Sequence, residues 1–131
     1  MPHIIIEYSA NLAQLTDIDS LVAKVHQAAL DDGLPALDAL RTRAAPREHY
    51  RIADGHSDYG FVAVTVRIGP GRARREIERF LTRLTDTIDA AVTPLLPDHP
   101  VAISAEVQLI DPALRMNRNH VRTHLTRHDS T

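Results

Sequence analysis

Hydrophobic and polar residues follow one another along the chain in a way that predicts four main strands. Three of them are apolar runs rich in β-branched residues, as is typical of buried strands. They are His3–Ser9, with three consecutive isoleucines, Phe61–Ile68 and Val101–Ile110. The fourth, Leu37–Thr42, alternates apolar with polar residues and predicts a half-buried strand. We also expect a short strand at Tyr50–Ala53, before a turn.

Two of the intervening segments have helical periodicity instead. After Thr16 and Asp17, either of which can cap the first turn, apolar residues recur every three or four positions, and Gly33 follows where a helix commonly ends in the left-handed conformation. A longer apolar stripe runs from Ile77 to Val92 and ends near Pro94. These patterns predict one helix of about four turns and a second, longer one.

The order of these elements is strand, helix, strand in both halves of the chain. We therefore predict a duplicated βαβ unit, in which each helix crosses over the sheet. The fold class is α+β, an α/β sandwich in which a four-stranded sheet carries two helices on one face. The other face then has to be polar or buried in an oligomer, and the isoleucine run favours burial.

The length of 131 residues fits one domain. We expect residues 1–131 to form a single domain with a core over about residues 2–112. The segment 113–131 is polar and is predicted to be a tail with weaker order.

Composition removes several classes of function. The absence of cysteine excludes disulfides, thiolate zinc sites and cysteine nucleophiles. A net charge of −2 disfavours binding to nucleic acid or to anionic membranes. No apolar stretch approaches the ~20 residues that span a bilayer, and no leader opens the chain, so a cytoplasmic protein is predicted. Arginine outnumbers lysine fourteen to one, which reflects either biased codon usage or fixed guanidinium groups that hold carboxylates.

Two clusters of polar residues each have two interpretations. Four arginines at helical spacing form either a phosphate-binding face or a solvated one, because acidic residues lie among them. They are Arg72, Arg75, Arg79 and Arg83. Three histidines recur every four residues in the tail and are either metal ligands or solvated side chains, and no metal is predicted. They are His120, His124 and His128.

Single carboxylates and one glycine-rich loop complete the candidates. Glu7, Asp54 and Glu106 lie on or beside strands, where each is an acid or base, a surface residue or a partner of an arginine. The sequence Gly69-Pro70-Gly71 precedes a helix and matches no nucleotide-binding pattern. A carboxylate site at that helix start, assisted by Arg72, is chemically reasonable.

Pro2 follows Met1 and leads directly into the first strand. Loss of the initiator methionine would leave a secondary amine at the edge of the sheet. An α-amino group has an ordinary pKa near ~8, and neighbouring cations or an apolar pocket lower it further, which gives a free base at neutral pH. The alternative is that this proline merely begins the chain.

Three segments together carry a resemblance to a known family. They are PHIIIEYSANL at 2–12, ALRTRAAPREHYRIADGHSDYGFVAVTVRIGPGR at 39–72 and AISAEVQLIDPALRMNRNHV at 102–121. In order and spacing they resemble the 5-carboxymethyl-2-hydroxymuconate isomerases, a branch of the tautomerase superfamily with larger chains. The resemblance covers nearly the whole chain.

The resemblance implies a homotrimer and an amino-terminal proline that acts as the base. By it, Pro2 matches the catalytic base, while Arg41 and Arg72 match substrate-binding arginines. It implies no metal and no organic cofactor. The reaction it implies is the isomerisation of an unsaturated, carboxylate-rich product of aromatic ring cleavage, in which an enol becomes a conjugated ketone.

We therefore expect a cofactor-independent isomerase that acts on a muconate-like di- or tricarboxylate. Its partners would be a small carboxylate substrate and two further copies of the chain, with no nucleic acid and no membrane. The alternative is a trimeric binding or interaction protein that kept the fold and lost the chemistry.

Overall fold

A computed structural model describes the backbone of residues 2–129 and the side chains of residues 2–127. Four strands and three α-helices follow one another along the chain. They are β1 (His3–Ser9), α1 (Ile18–Asp32), β2 (Arg41–Arg47), β3 (Gly60–Ile68), α2 (Arg74–Val92), β4 (Val101–Leu109) and α3 (His120–Asp129). Short 3-10 helices occur at Ala10–Gln14, Thr93–Leu95 and Pro112–Leu114.

The strands form one mixed sheet in the order β2-β1-β3-β4. β1 pairs with β2 in parallel, and β3 pairs with β4 in parallel, while β1 and β3 are antiparallel neighbours at the centre. Each parallel pair is joined by one long helix, as a crossover connection requires. The predicted duplicated βαβ unit is therefore confirmed.

Both crossover helices cover the same face of the sheet. Alternate residues of the central strands point to that face and are at most 8% exposed, among them Ile4, Ile6, Val62 and Val64. They pack in one cluster with buried side chains of both helices, such as Val25 of α1 and Phe80, Leu84 and Ile88 of α2. Since burial follows the period of two in the strands and about four in the helices, the sequence pattern and the core agree.

Neither crossover helix covers the opposite face of the sheet, and we call it the open face. Its central positions are half-buried and include Ile5, Phe61 and Ala63, whereas Glu106 and Gln108 on β4 are exposed. The open face is thus apolar at its centre and polar at its edge.

Helix α1 begins and ends as the sequence predicts. Asp17 caps its start, with a side-chain oxygen that accepts a hydrogen bond from the Ser20 amide at 3.2 Å. Gly33 ends it in the left-handed conformation at φ 85°. Both signals depend only on local chemistry, so the sequence alone is sufficient to predict them.

The predicted strand Leu37–Thr42 is misplaced, since β2 covers Arg41–Arg47. The Ala39 amide donates to the Ala36 carbonyl and closes a turn, and parallel pairing with β1 begins only at Arg41. Pro46 lies inside β2, where it is tolerated because β2 is an edge strand.

Two other expectations need correction. Tyr50–Ala53 is not a strand; the segment runs into a turn in which the Gly55 amide donates to the Ile52 carbonyl. The polar tail contains a helix, α3, and the Asn119 side chain caps its start by accepting hydrogen bonds from the amides of Val121 and Arg122. The boundary of a single domain with a core over residues 2–112 stays a prediction.

Within residues 2–129, none of the helices has the length and apolar composition that crossing a membrane requires. The cytoplasmic location stays a prediction from the sequence.

Candidate active site

One end of the sheet gathers the segments that carry the candidate residues. β1 and β2 begin at this end. β3 and β4 run in the opposite direction to β1 and β2, so they finish there. Pro2 precedes β1, Arg41 opens β2, and the loop that ends in Arg72 follows β3. The segment after β4 crosses the same end, because the Ile110 amide donates to the Ile68 carbonyl at 2.7 Å.

Pro2 and Arg41 are joined through the backbone. The Arg41 amide donates to the Pro2 carbonyl at 3.3 Å, which extends the β1–β2 ladder by one residue. Pro2 is buried, and strand alternation places its ring on the helix-covered face with Ile4. Its nitrogen is a main-chain atom and lies at the end of β1, which is a central strand of the sheet. The residue before it, Met1, lies outside the described residues, and so does the prediction that Met1 is removed.

The Arg41 side chain extends over the open face. One of its terminal nitrogens lies 3.4 Å from Nε2 of His3, and the other donates to Oδ1 of Asn117 at 3.4 Å. Asn117 belongs to the segment that follows β4, so this segment and β2 meet at Arg41. Asn117 thus helps to hold the guanidinium above the end of the sheet.

Arg72 reaches the same end from another direction. Its guanidinium donates to the Leu34 carbonyl at 2.9 Å, in the connection between α1 and β2. That hydrogen bond is to the connection, not to Pro2 or Arg41. Two of the three predicted residues are therefore linked directly, whereas the contact of Arg72 is with Leu34.

His3 is the centre of a cationic cluster on the open face. The Arg43 guanidinium lies 3.1 Å from its Nδ1, and Arg41 lies on the other side of the ring. Burial lowers the pKa of His3 from its ordinary 6.5, and the positive charges of Arg43, Arg41, Arg67 and Arg115 lower that pKa further. The electrostatic potential at this end of the sheet is positive, which suits a carboxylate ligand.

The tail is anchored to the connection that leads into β2. Asn119 donates from its side chain to the Asp38 carbonyl at 2.7 Å, and Arg122 forms an ion pair with the Asp38 carboxylate. Asn117 also contacts Arg41, so the segment that leads into α3 meets the candidate site at Asn117.

The arginines of α2 have structural partners. Arg79 donates two hydrogen bonds to Asp32, and Arg83 lies 3.5 Å from the same carboxylate. The Asp32 side chain is fully buried beneath them. These contacts join the end of α1 to α2, so the interpretation as a phosphate-binding face loses two of its four arginines.

The candidate carboxylates form structural contacts or are exposed, and the tail histidines form no metal site within the described residues. Glu7 pairs with Arg47 at 2.8 Å, and Glu106 is exposed on β4. Asp54 accepts a hydrogen bond from the His56 amide and raises the pKa of Tyr59 by hydrogen bonding to its hydroxyl. Over the described part of the chain, histidine, aspartate and glutamate side chains form no metal-binding group of three or more. The side chain of His128 lies outside the described residues.

A cavity lies at the other end of the sheet from the candidate site residues. It has a volume of about 710 Å³ and is lined by the loop between β2 and β3, including His49, Tyr50 and His56. None of the sequence-predicted site residues borders it. Its size does not make it the site, because the residues with matched chemistry lie at the opposite end.

Sequence reasoning did not single out His3, Arg67, Arg115 or Asn117 as site residues. The alternation in β3 identifies Arg67 as outward-facing, because Val64 and Val66 point inward. What the sequence could not supply is the register that aligns His3 with both Arg41 and Arg67. Only the pairing of the strands brings these side chains into one row.

Comparisons with known proteins identify the family and the fold of the chain. A curated 5-carboxymethyl-2-hydroxymuconate Delta-isomerase from Escherichia coli is 31% identical over 121 residues, which is 92% of this chain and 96% of that protein. A crystal structure of a 5-carboxymethyl-2-hydroxymuconate delta-isomerase matches with a TM-score of 0.82 at 26% identity, covering 95% of this chain and 93% of the other. A structure described as a fused 4-OT symmetric trimer matches with a TM-score of 0.63 at 14% identity, covering 88% of this chain and 93% of that one, and shows the fold alone.

The four-stranded sheet with its crossover helices is a tautomerase-like fold, and the chain is an isomerase of that class. The sequence profile described as 5-carboxymethyl-2-hydroxymuconate isomerase matches residues 2–125. The chain belongs to this family.

Proposed function

We propose that this enzyme isomerises 5-carboxymethyl-2-hydroxymuconate without a cofactor, with the Pro2 nitrogen as base. The observation that carries the proposal is the family match over residues 2–125, which includes Pro2 at the start of β1 with Arg41 bonded to it. The substrate class is an unsaturated, carboxylate-rich product of aromatic ring cleavage. The enzyme would work as a single-domain chain in the cytoplasm.

The reaction transfers one proton from the enol oxygen to carbon and converts two carbon–carbon double bonds into one carbon–carbon double bond and a carbonyl. The Pro2 nitrogen accepts the proton of the enol hydroxyl at C2, which becomes a carbonyl. The double bonds at C2–C3 and C4–C5 are replaced by one at C3–C4, and the proton is returned to C5. One base serves both steps, and general base catalysis of this kind contributes about 10²- to 10⁴-fold.

The arginines supply binding and charge stabilisation in this proposal. Guanidinium groups hold carboxylates through two parallel hydrogen bonds, and Arg41 and Arg72 reach the end of the sheet from two different connections. Negative charge that develops on the C2 oxygen is stabilised by the same cations. Their field also lowers the pKa of a nearby amine, which keeps it unprotonated at neutral pH.

A homotrimer is part of the proposal. The open face has apolar residues at its centre, including Ile5 and Phe61. Exposed apolar surface of this kind is commonly covered by a partner. A trimeric protein with the same fold supports three copies.

The deciding experiment combines intact mass with a turnover assay. The mature protein should lack Met1 and convert 5-carboxymethyl-2-hydroxymuconate, followed by the change in ultraviolet absorbance. Pro2→Ala should fold normally and lose about 10²-fold or more in kcat, because a less well-positioned primary amine replaces the ring nitrogen. Light scattering should give three times the chain mass of 14.6 kDa.

Three results would contradict the proposal. A retained Met1 would turn the Pro2 nitrogen into an amide without basicity. An unimpaired Pro2→Ala enzyme would show that the base is another group. A mature protein without Met1 that converts no enol substrate would instead support a binding protein on the same fold.

A further inference from the structure

Basic side chains, Arg41 among them, line a cavity beside the proposed base. The cavity has a volume of about 320 Å³ and lies on the open face between the ends of the strands and the segment after β4. Its polar lining consists of His3, Arg41, Arg67, Arg115 and Asn117. We call it the His3 cavity.

The sheet register forms its floor. His3 is paired with Arg41 on β2 and with Arg67 on β3, so these three residues form one row across three strands. Adjacent strands are about 4.8 Å apart, which places the backbones of the two arginines roughly 10 Å from each other with His3 between them. Arg115, in the segment after β4, also lines the cavity.

The hydrogen-bonding groups of the cavity are unbalanced. A neutral imidazole has one acceptor nitrogen and one N–H group, whichever tautomer it adopts. Arg43 approaches one ring nitrogen of His3 and Arg41 the other, so at least one guanidinium faces an N–H group. Among the lining side chains, the amide oxygen of Asn117 is the other acceptor. Donors therefore converge on a space that has few acceptors.

Positive charge is in excess among the residues that line the cavity. Three of the eight residues that line it are arginines, and none is acidic. All the charged groups that perturb His3 are arginines, and each of them lowers the pKa of the imidazole. Like charges this close together are unfavourable unless an anion neutralises them.

From this geometry we infer that the His3 cavity is a carboxylate subsite, in which Arg67 and Arg115 select substrates that carry a carboxylate far from the reacting enol. His3 follows Pro2 directly, so the cavity begins one residue from the proposed base. Its apolar lining by Ile110, Leu114 and Met116 suits the carbon chain between carboxylates. The identity of the ligand rests on the proposed function.

The chemistry of the proposed substrate class agrees with such a subsite. A carboxymethyl-hydroxymuconate has three carboxylates, whereas hydroxymuconate has two and phenylenolpyruvate has one. Bidentate arginine contacts are specific for carboxylate geometry. The enzyme should therefore discriminate between these enols by carboxylate number.

The test compares the substrates in three variants. Arg67→Gln and Arg115→Gln remove one guanidinium each, and Arg51→Gln, at the other end of the sheet, is the control with the same charge change. The ratio of kcat/KM for the tricarboxylate over that for phenylenolpyruvate should fall about tenfold or more in the first two. It should stay at the wild-type value in Arg51→Gln. An unchanged ratio in Arg67→Gln and Arg115→Gln would overturn the inference.

Two further measurements separate this inference from its competitors. Calorimetry with propane-1,2,3-tricarboxylate measures carboxylate binding without turnover, and Arg67→Gln should weaken it about tenfold even if the wild-type protein converts none of the enols. Equal binding by the variant would count against the subsite. Light scattering reports assembly, and dissociation of the oligomer in Arg67→Gln would assign these cations to contacts between copies of the chain and overturn the inference.

Discussion

The backbone amide of Arg41 donates to the carbonyl of Pro2 at 3.3 Å, so the position of this arginine is fixed by the residue that we propose as the base. The contact uses only main-chain atoms. A change of the Arg41 side chain therefore leaves the pairing of β1 with β2 intact.

Arg41→Gln is expected to keep the fold and lose substrate affinity and turnover. A hydrogen bond to a charged group contributes about 1.5–3 kcal/mol, so kcat/KM should fall roughly 10- to 150-fold. Steady-state kinetics measures the loss, and circular dichroism checks the fold. A kcat/KM within twofold of the wild-type value would show that Arg41 does not contact the substrate.

Arg72→Ala should also lower kcat/KM, by about tenfold or more, because it removes a guanidinium that lies at the end of the sheet beside Leu34. Arg74→Ala is the matched control, since Arg74 is 92% exposed and pairs with Glu78 one turn along α2. The control should retain wild-type kinetics. Equal losses in both variants would indicate a general effect of charge rather than a site at Arg72.

The His3 imidazole gives the protein a predictable response to acid. Because the folded state lowers the pKa of His3 below 6.5, the unfolded chain binds its proton first as the pH falls. The free energy of unfolding should therefore decrease as the pH falls from 6.5 through the folded pKa, and be independent of His3 above that range. Urea unfolding between about pH 8 and about pH 5 should show a smaller decrease in His3→Gln than in the wild-type protein.

Nuclear magnetic resonance measures the same effect directly. The ring protons of His3 should titrate below pH 6.5, the ordinary value for histidine. A midpoint at or above that value would mean that the surrounding guanidinium groups are already neutralised. In that case the His3 cavity would have no electrostatic need for an anion.

Gly60, the first residue of β3, lies in a tightly packed position. A Cβ atom there would lie 2.9 Å from Cδ2 of Leu12 and 3.1 Å from Oγ of Ser9, both of which are buried. Gly60→Ala should destabilise the protein by about 1–3 kcal/mol in urea unfolding. Gly69→Ala is the control, because a Cβ atom there meets nothing within 4 Å, and its effect should stay within about 0.5 kcal/mol.

Local patterns in the sequence were sufficient for most of the fold. The apolar runs of β1 and β3 and the stripe of α2 needed only periodicity, and the ends of α1 needed only Asp17 and Gly33. β2 was misplaced because its start depends on pairing with β1, which no local pattern encodes. Helix α3 was missed because its cap, Asn119, is held by Asp38, a residue distant in the chain.

The candidate site divides in the same way. Pro2 and Arg72 were candidates from their own chemistry, and the family resemblance added Arg41; their placement at one end of the sheet follows from the order of strands. The row of His3 with Arg41 and Arg67 depends on a parallel and an antiparallel register at once. A shift of either strand by one residue would move the arginine to the other face of the sheet.

The duplicated architecture is symmetric in its backbone, yet its two halves are not equal in chemistry. The second βαβ unit also begins with a strand, but the Gly60 nitrogen at its start is an amide inside the chain and donates to the Pro100 carbonyl at 2.9 Å. With Met1 removed, as proposed, the first unit alone would begin with a free amine. A molecule that alkylates the proposed base should therefore stop at one label per chain, while the second half supplies arginines such as Arg67 and Arg72 to the same end of the sheet.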